Sequence, residues 1–170
     1  MQKLHPLPAL KRALKAETPS GASSATTAVV LGVGSEMRSD DAAGLRVAAA
    51  VSAWALQGVR ALEAGPVPEN CTAEIRRLHP AHLIIVDCAQ MGEEPGTLRV
   101  FQPSEIAGVS FGTHGLPLGV LAEYLRVEVG CSVVFLGIQP LKVDFGETLS
   151  PRVERAVGEA AQLLRKLLIT

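Results

Sequence analysis

Three short, unbroken apolar runs constrain the fold of this chain more than any other feature. The runs are residues 28–33, 83–86 and 133–136, and each is rich in β-branched side chains. A half-buried strand alternates apolar and polar residues, whereas a strand that is covered on both faces reads as a continuous apolar run. The three runs therefore predict the central strands of a mainly parallel sheet with helices on both faces.

Amphipathic stretches lie between and after these runs. Helices are expected from the apolar stripes and cap residues of segments 45–55, 69–78, 118–125 and 150–167, where Ser150 and Pro151 are typical of a helix start. Residues 59–63 and 97–101 are weaker strand candidates. Strands that alternate with helices imply right-handed βαβ crossovers. We therefore expect a three-layer α/β/α sandwich with a twisted, mostly parallel central sheet of about five strands.

The first 27 residues differ in composition from the rest of the chain. They carry four basic side chains against one glutamate, and they end in a Ser- and Thr-rich run over 18–27. Such a run is typical of linkers, and residues 8–16 could form a short helix before it. We expect a mobile or loosely docked N-terminal extension and linker over 1–27, followed by a single α/β domain over 28–170.

The overall composition argues against several functional classes. With 48% hydrophobic residues, 19% charged residues and a formal net charge of −1, the chain has no electrostatic reason to bind nucleic acid or an anionic membrane. No apolar run reaches the roughly 18 residues of a membrane span. Cys71, Cys88 and Cys131 are scattered, which indicates neither a zinc knuckle nor a disulfide framework. We expect a monomeric protein in the reducing cytoplasm.

Candidate functional side chains follow the strong strands. Asp40 and Asp41 come after the first run, Asp87 directly follows the second, and His114 lies in the glycine-flanked segment 112–117. Because the carboxyl ends of parallel strands meet at one edge of the sheet, we expect Asp41, Asp87 and His114 to converge there. Two carboxylates and one imidazole suit a divalent ion such as nickel, zinc or manganese, with positions open for water or substrate.

Each of these residues also has a simpler structural explanation. Asp40 and Asp41 could cap the following helix and favour its dipole, and Asp40 fits the cap better while Asp41 fits the cleft. Asp87 could accept backbone hydrogen bonds from a neighbouring loop, because a buried carboxylate without a partner is costly. His114 could be a hydrogen-bonded structural histidine. On spacing alone, these alternatives stay open.

Three other chemistries fit the same edge less well. The Gly32-Val-Gly34 sequence suggests a dinucleotide loop, but Met37 stands where the third glycine belongs, and the acidic pair that follows would repel a pyrophosphate. Cys88 adjoins Asp87, yet a cysteine at a strand end is usually a small buried hydrophobe. The chain contains no G-x-S-x-G elbow, which argues against a serine triad.

Several ordered motifs carry a resemblance to a known family. They are Gly32-Val-Gly34 with Asp40-Asp41 and Gly44, Pro68-Glu-Asn70, Leu83-Ile-Ile-Val-Asp87 with Met91-Gly and Pro95-Gly, Thr113-His114 with Pro117-Leu118, and Phe135-Leu-Gly-Ile-Gln-Pro140. Together they resemble the hydrogenase maturation endopeptidases, especially the type that processes hydrogenase 3 of the formate hydrogenlyase complex. The resemblance covers about 29–157 and leaves the first 27 residues out.

The resemblance implies a function and assigns the same three residues to it. The metal-contacting positions of the family fall on Asp41, Asp87 and His114, which would also be the catalytic residues. The implied enzyme removes the C-terminal extension of a nickel–iron hydrogenase large-subunit precursor after nickel insertion, and it cuts after a basic residue in a C-terminal cysteine motif. The nickel belongs to the precursor, which is the implied partner, and no organic cofactor is implied.

The sequence departs from the family pattern in two loops. Ser35 stands where the first loop usually has asparagine, and Glu63-Ala64-Gly65 replaces a common Asp-Gly-Gly. Both changes concern loop geometry and substrate subtype. Two alternatives to the implied function are an autonomous metallohydrolase on the same scaffold and a maturation chaperone that binds the precursor without cutting it. Metal content of the purified protein would separate the first alternative from the substrate-nickel mechanism.

Overall fold

The structure of the protein is a computed structural model that describes residues 6–16, 27–111 and 117–169. The strands are β1 (Ala28–Val33), β2 (Val59–Gly65), β3 (His82–Gln90), β4 (Leu98–Phe101), β5 (Ser110–Phe111) and β6 (Ser132–Ile138). The helices are α1 (Pro6–Ala16), α2 (Ala43–Ala53), α3 (Thr72–Leu78), α4 (Leu118–Val129) and α5 (Pro151–Leu168).

The sheet is mostly parallel, as the sequence predicted. Its strands lie in the order β2-β1-β3-β6-β4, and all neighbours are parallel except β4, which pairs antiparallel with β6. The short strand β5 adds an antiparallel pair to the far end of β3, at Ala89 and Gln90. The three apolar runs form β1, β3 and β6, and β1 and β6 are buried along their whole length.

Two apolar cores cover the two faces of the sheet. Successive side chains of a strand point to opposite faces, so Ile84 packs into one core with α1, α2 and α5, while Leu83 and Ile85 pack into the other with α3 and α4. This arrangement confirms the three-layer α/β/α sandwich. Continuous apolar runs are necessary for it because every position of a central strand is covered.

The helix ends agree in part with the sequence patterns. Helix α5 begins at Pro151 after Ser150, as predicted, but α2 ends at Ala53, before the expected stripe is complete, and Ala55 has a φ of +48°. Strand β5 and the 3-10 turns Ser39–Ala42 and Pro103–Glu105 were not predicted. The helix expected over 69–78 consists of a 3-10 turn (Pro68–Cys71) followed by α3. Among the described helices, none combines the length and apolar character needed to cross a membrane.

Helix α1 contributes to the core. Leu10 is fully buried and Leu14 nearly so, in the core that α5 shares with the sheet. The helix packs against α5, β4 and β6. Its apolar side chains therefore belong to the packed interior, a closer association than the loose docking expected from composition. The division of the chain at residue 27 stays a prediction.

Candidate functional site

The strand order creates a crevice between β1 and β3. From β1 the chain proceeds to β2 on one side, whereas β3 lies on the other side, so the order of strands reverses at this point. Ligands of open α/β sheets bind at the carboxyl ends of the strands beside such a switch point. The loop after β1 leads to Asp41, and Asp87 is the first residue of β3 beyond Val86, the last residue paired with β1.

Two glycines bring the start of α2 close to this crevice. A Cβ on Gly44 would collide with the carbonyl oxygens of Val33 and Val86, so α2 begins directly against the backbones of β1 and β3. Gly34 has a φ of +143°, and a Cβ there would collide with the carbonyl oxygen of Asp41. The Gly-x-Gly sequence thus permits close packing and a sharp loop, without any need for a bound pyrophosphate.

Asp41 is held by its own loop. Its side chain is 2% exposed, and its Oδ2 accepts a hydrogen bond of 3.1 Å from the backbone N–H of Ser35. The Nη1 of Arg38 lies 3.9 Å from the same oxygen. The contact at Ser35 uses the backbone, so the serine that replaces the usual asparagine leaves this hydrogen bond intact.

Asp87 is the most unusual group of the site. It is fully buried, and neither of its carboxylate oxygens has a hydrogen-bond partner within residues 6–16, 27–111 and 117–169. Burial raises the pKa of this carboxyl well above its ordinary value, and the negative charge of Asp41 raises it further. The backbone N–H of Cys88 acts in the opposite direction, although it does not meet hydrogen-bond geometry. No loop of the described residues supplies the backbone hydrogen bonds that a purely structural Asp87 would need.

Asp40 does not cap α2, which corrects the expectation from sequence. Its fully buried carboxylate accepts four hydrogen bonds, from the backbone N–H groups of Leu141 (2.9 Å), Lys142 (3.1 Å) and Ser150 (2.7 Å) and from the Ser150 hydroxyl (2.8 Å). Asp40 therefore joins the loop after β1 to the segment after β6. The same contacts explain why Ser150, at the N-cap position of α5, makes no side-chain cap hydrogen bond with its own helix.

His114 lies outside the described residues, so its convergence with the two aspartates stays a prediction. Asp41 and Asp87 both lie at the carboxyl ends of the strands beside the crevice, and the negative charge of Asp41 adds to the effect of burial in raising the pKa of Asp87. In the part of the chain that the structure describes, no three His, Cys, Asp or Glu side chains are grouped as a metal site. The carboxylate pair is thus the part of the expected site that can be located.

Cys88 is poorly suited to nucleophilic chemistry. Its side chain is buried, and burial raises the pKa of the thiol, to which the negative charge of Asp87 adds. A thiolate is the reactive form, and these surroundings suppress it. This agrees with its interpretation as a small buried hydrophobe.

Gln139 orders the loop after β3, a role that the sequence analysis missed. Its Oε1 accepts hydrogen bonds from the backbone N–H groups of Met91 (2.8 Å) and Glu93 (3.3 Å), and its Nε2 donates to Oε1 of Gln90 (3.0 Å). The side chain thereby orders the loop that follows β3. The motif at 135–140 was the available signal, since it carried part of the family resemblance without a role for Gln139.

An open groove of about 480 Å³ lies next to this loop. Residues 90–92, 99–101, 105 and 107–109 line it, and neither Asp41 nor Asp87 does. The groove is therefore distinct from the carboxylate pair. The two carboxylates are buried at the crevice between β1 and β3, where the order of the strands reverses.

Comparison with known proteins agrees with the fold and with the family resemblance. A family model described as HycI, hydrogenase maturation protease, matches residues 46–167. The hydrogenase 3 maturation protease of Escherichia coli (strain K12) is 37% identical over 139 residues, which cover 81% of this chain and 88% of that protein. A putative hydrogenase maturation protease of Methanocaldococcus jannaschii is 32% identical over 125 residues, which cover 69% and 74%.

A solved structure extends the similarity to the whole described fold. The crystal structure of a NiFe hydrogenase maturation protease, HycI from Thermococcus kodakarensis KOD1, has a TM-score of 0.80 at 26% identity and covers 95% of this chain and 99% of that one. The family resemblance inferred from sequence motifs is thereby confirmed. The chain belongs to the HycI family of hydrogenase maturation proteases, and it is a peptide-bond hydrolase.

Proposed function

We propose that this enzyme removes the C-terminal extension of a nickel–iron hydrogenase large-subunit precursor after nickel insertion, and that it recognises the nickel of the precursor. A relative named as a hydrogenase 3 maturation protease supports the class of substrate. The observation that carries the proposal is Asp87, a fully buried carboxylate without a partner among the described residues, beside Asp41. Such a group is costly unless a cation completes its surroundings.

Asp41 and Asp87 would supply negative charge to the nickel of the precursor, and His114 would supply a nitrogen ligand. A bound divalent ion can polarise a carbonyl or lower the pKa of a water molecule, which is the chemistry that peptide hydrolysis needs. Because Ser35 and the nearby Arg38 hold Asp41 at the crevice, its carboxylate is already oriented before substrate arrives. Pre-orientation of this kind reduces the ordering that binding would otherwise require.

The course of β5 supports a place for His114 at the same site. Phe111 pairs with Ala89, two residues beyond Asp87, and β5 runs antiparallel to β3, so its carboxyl end points along β3 toward Asp87. His114 follows Phe111 by three residues, and three residues of chain reach at most about 11 Å. A covalent connection of this length would allow the histidine to reach the carboxylate pair, which supports its proposed role.

The two rival functions use the same scaffold differently. An autonomous metallohydrolase would carry its own stoichiometric metal after purification, whereas the enzyme proposed here takes the metal with its substrate. A non-cleaving chaperone would bind nickel-loaded precursor and release it intact, and membership of a protease family favours cleavage instead. We also propose that the enzyme works in the cytoplasm, where the thiols of Cys71, Cys88 and Cys131 would stay reduced.

The experiment compares nickel-loaded and nickel-free precursor as substrates. Wild-type enzyme should release the C-terminal peptide only from the nickel-loaded form, as followed by mass spectrometry. Asp87→Asn and His114→Ala should each lower kcat/KM by at least about a hundredfold, because each removes a contact to the ion without removing much buried apolar area. The exposed Glu159→Gln serves as a charge-matched control and should cleave normally.

Three results would contradict the proposal. Equal cleavage of both precursors by the wild type would remove nickel from recognition. Normal cleavage by both site variants would remove Asp87 and His114 from the site. A purified wild-type enzyme with one bound metal per chain would favour the autonomous hydrolase.

A further inference from the structure

Three large apolar side chains are exposed on two loops at the site edge of the sheet. Phe145 is 81% exposed, Leu141 is 63% exposed and Met37 is 44% exposed. We refer to Met37, Leu141 and Phe145 as the apolar rim. A large exposed aromatic side chain is unfavourable in water, and a group of such residues commonly marks an interaction surface.

The apolar rim is held in place by hydrogen bonds between its two loops. The backbone N–H of Ser39 donates to the carbonyl oxygen of Gly146 (2.8 Å), and the N–H of Gly146 donates to that of Met37 (2.9 Å). The N–H of Leu141 donates to the buried carboxylate of Asp40 (2.9 Å). Exposure of the rim is therefore a property of an ordered surface, which binds at a lower entropic cost than a loose loop.

The apolar rim adjoins the proposed catalytic edge. One of its loops follows β1 and the other follows β6, and these strands flank β3 on its two sides. The backbone N–H of Leu141 donates a hydrogen bond to Asp40, and Asp40 directly precedes Asp41 in the chain. A polypeptide that presents its scissile bond to Asp41 and Asp87 would consequently pass beside the rim.

We propose that the apolar rim is the docking surface for an apolar segment of the hydrogenase precursor, next to the peptide bond that is cleaved. This inference rests on the proposed function, since it deepens the recognition of that substrate. Charged residues lie beside the rim residues along the same two loops, among them Arg38, Lys142 and Glu147, and a polar border of this kind is typical of an apolar contact surface. The occupant is thus a protein surface of mixed character with apolar side chains at its centre.

Two other occupants fit the surface less well. A small molecule needs a concave site, and the groove of about 480 Å³ is lined by residues other than the rim. A second copy of this chain on the rim would stand over the loops that border Asp41 and would obstruct the entry of a protein substrate. The precursor is the partner that uses the rim and the carboxylates at the same time.

The test uses Phe145→Ser and Leu141→Ser with Ile169→Ser as the matched control. Ile169 is 60% exposed, a fraction similar to the 63% of Leu141. It lies at the opposite end of α5 from Ser150, about 28 Å away at 1.5 Å per residue. Steady-state cleavage of nickel-loaded precursor should show KM raised about tenfold for each rim variant, with kcat changed by less than about twofold. The control should leave both constants at their wild-type values, and all three variants should melt like the wild type.

Precursor binding, measured by biolayer interferometry, separates this inference from the proposed function. If the wild type binds the precursor without cleaving it, and both rim variants bind it more weakly, the protease proposal is refuted and the docking role of the rim is supported. If both rim variants cleave the precursor with unchanged KM and bind it with unchanged affinity, the docking role of the rim is overturned and the protease proposal stays intact. A wild-type dimer that the rim variants dissociate, with no change in precursor affinity, would assign the surface to self-association and would also overturn the inference. If the wild type neither binds nor cleaves the precursor, both ideas fail.

Discussion

Replacing Asp87 by asparagine should stabilise the metal-free protein near neutral pH, although the same change should abolish the proposed activity. The carboxylate is fully buried, and the described residues provide no hydrogen-bond partner for either oxygen. Burial first, and the charge of Asp41 second, raise the pKa of this carboxyl above its ordinary value of 3.8. The charged form is therefore more costly in the folded protein than in the unfolded chain, and asparagine removes that charge at nearly constant shape.

The expected gain can be worked out from the surroundings of Asp87. A buried polar group without a partner costs about 1–3 kcal/mol, and more when it is charged. Asparagine still buries a polar amide, so the substitution removes only the difference between the cost of burying a carboxylate and the cost of burying an amide. We therefore expect a gain of about 1–3 kcal/mol in the free energy of unfolding. In a domain of this size, each kcal/mol corresponds to about 2–4 °C in Tm.

The sign of the pH dependence follows from proton binding. With its pKa raised in the folded state, Asp87 binds more protons in the folded than in the unfolded protein once the pH exceeds about 3.8. The wild type therefore loses stability as the pH rises from that value toward the folded-state pKa. Below the unfolded pKa both states are protonated, and this contribution disappears. The advantage of Asp87→Asn should thus grow with pH and then level off.

The assay is thermal and urea unfolding of both proteins between pH 4 and pH 8 with a chelator present, and Glu159→Gln serves as the exposed control. The control should follow the wild type at every pH. A less stable Asp87→Asn variant, with a stability difference that does not change with pH, would refute the reasoning. Such a result would mean that a stabilising partner already compensates the Asp87 carboxylate in the free enzyme.

Two further predictions concern the neighbours of this residue. Asp40→Ala should lower the free energy of unfolding by about 3–5 kcal/mol, because three backbone N–H groups and the Ser150 hydroxyl lose their acceptor. The control Asp144→Ala, at an exposed side chain, should change it by no more than about 0.5 kcal/mol. Urea unfolding measures both variants, and similar losses in the two would contradict the role of Asp40. Cys88→Ala should keep precursor cleavage at the wild-type rate, since burial and the charge of Asp87 raise the pKa of its thiol, and loss of cleavage by a folded Cys88→Ala protein would make this residue the nucleophile.

Some features of the fold follow from local sequence alone. The runs that became β1, β3 and β6 are continuous because both faces of a central strand are covered, and that requirement is visible in the residues themselves. The start of α5 at Pro151 is equally local, since proline fits the first helical position. The two-residue strand β5 has no such local signal, because it forms only where the tertiary fold brings its segment beside the end of β3.

The position of Asp87 was predictable from the sequence, but its lack of hydrogen-bond partners among the described residues and its raised pKa were not. A carboxylate that directly follows an apolar run must lie near the edge of the sheet, and the sequence analysis placed it there. Whether it finds partners depends on the loops that pack over it. Only the folded chain reveals that its oxygens lack partners among the described residues and that Asp41 stands near enough to raise its pKa.

Asp40 marks the limit of what the sequence alone determined. Local pattern placed it at a helix start, and a cap was the natural interpretation because cap partners lie within three residues. Its actual partners, Leu141, Lys142 and Ser150, are 101, 102 and 110 residues away along the chain. The sequence determined the layers of the sandwich and the residue types at its edge, since burial selects these position by position. Only the tertiary structure decided which aspartate joins distant loops and which faces the crevice, because hydrogen bonds form between groups that folding brings together.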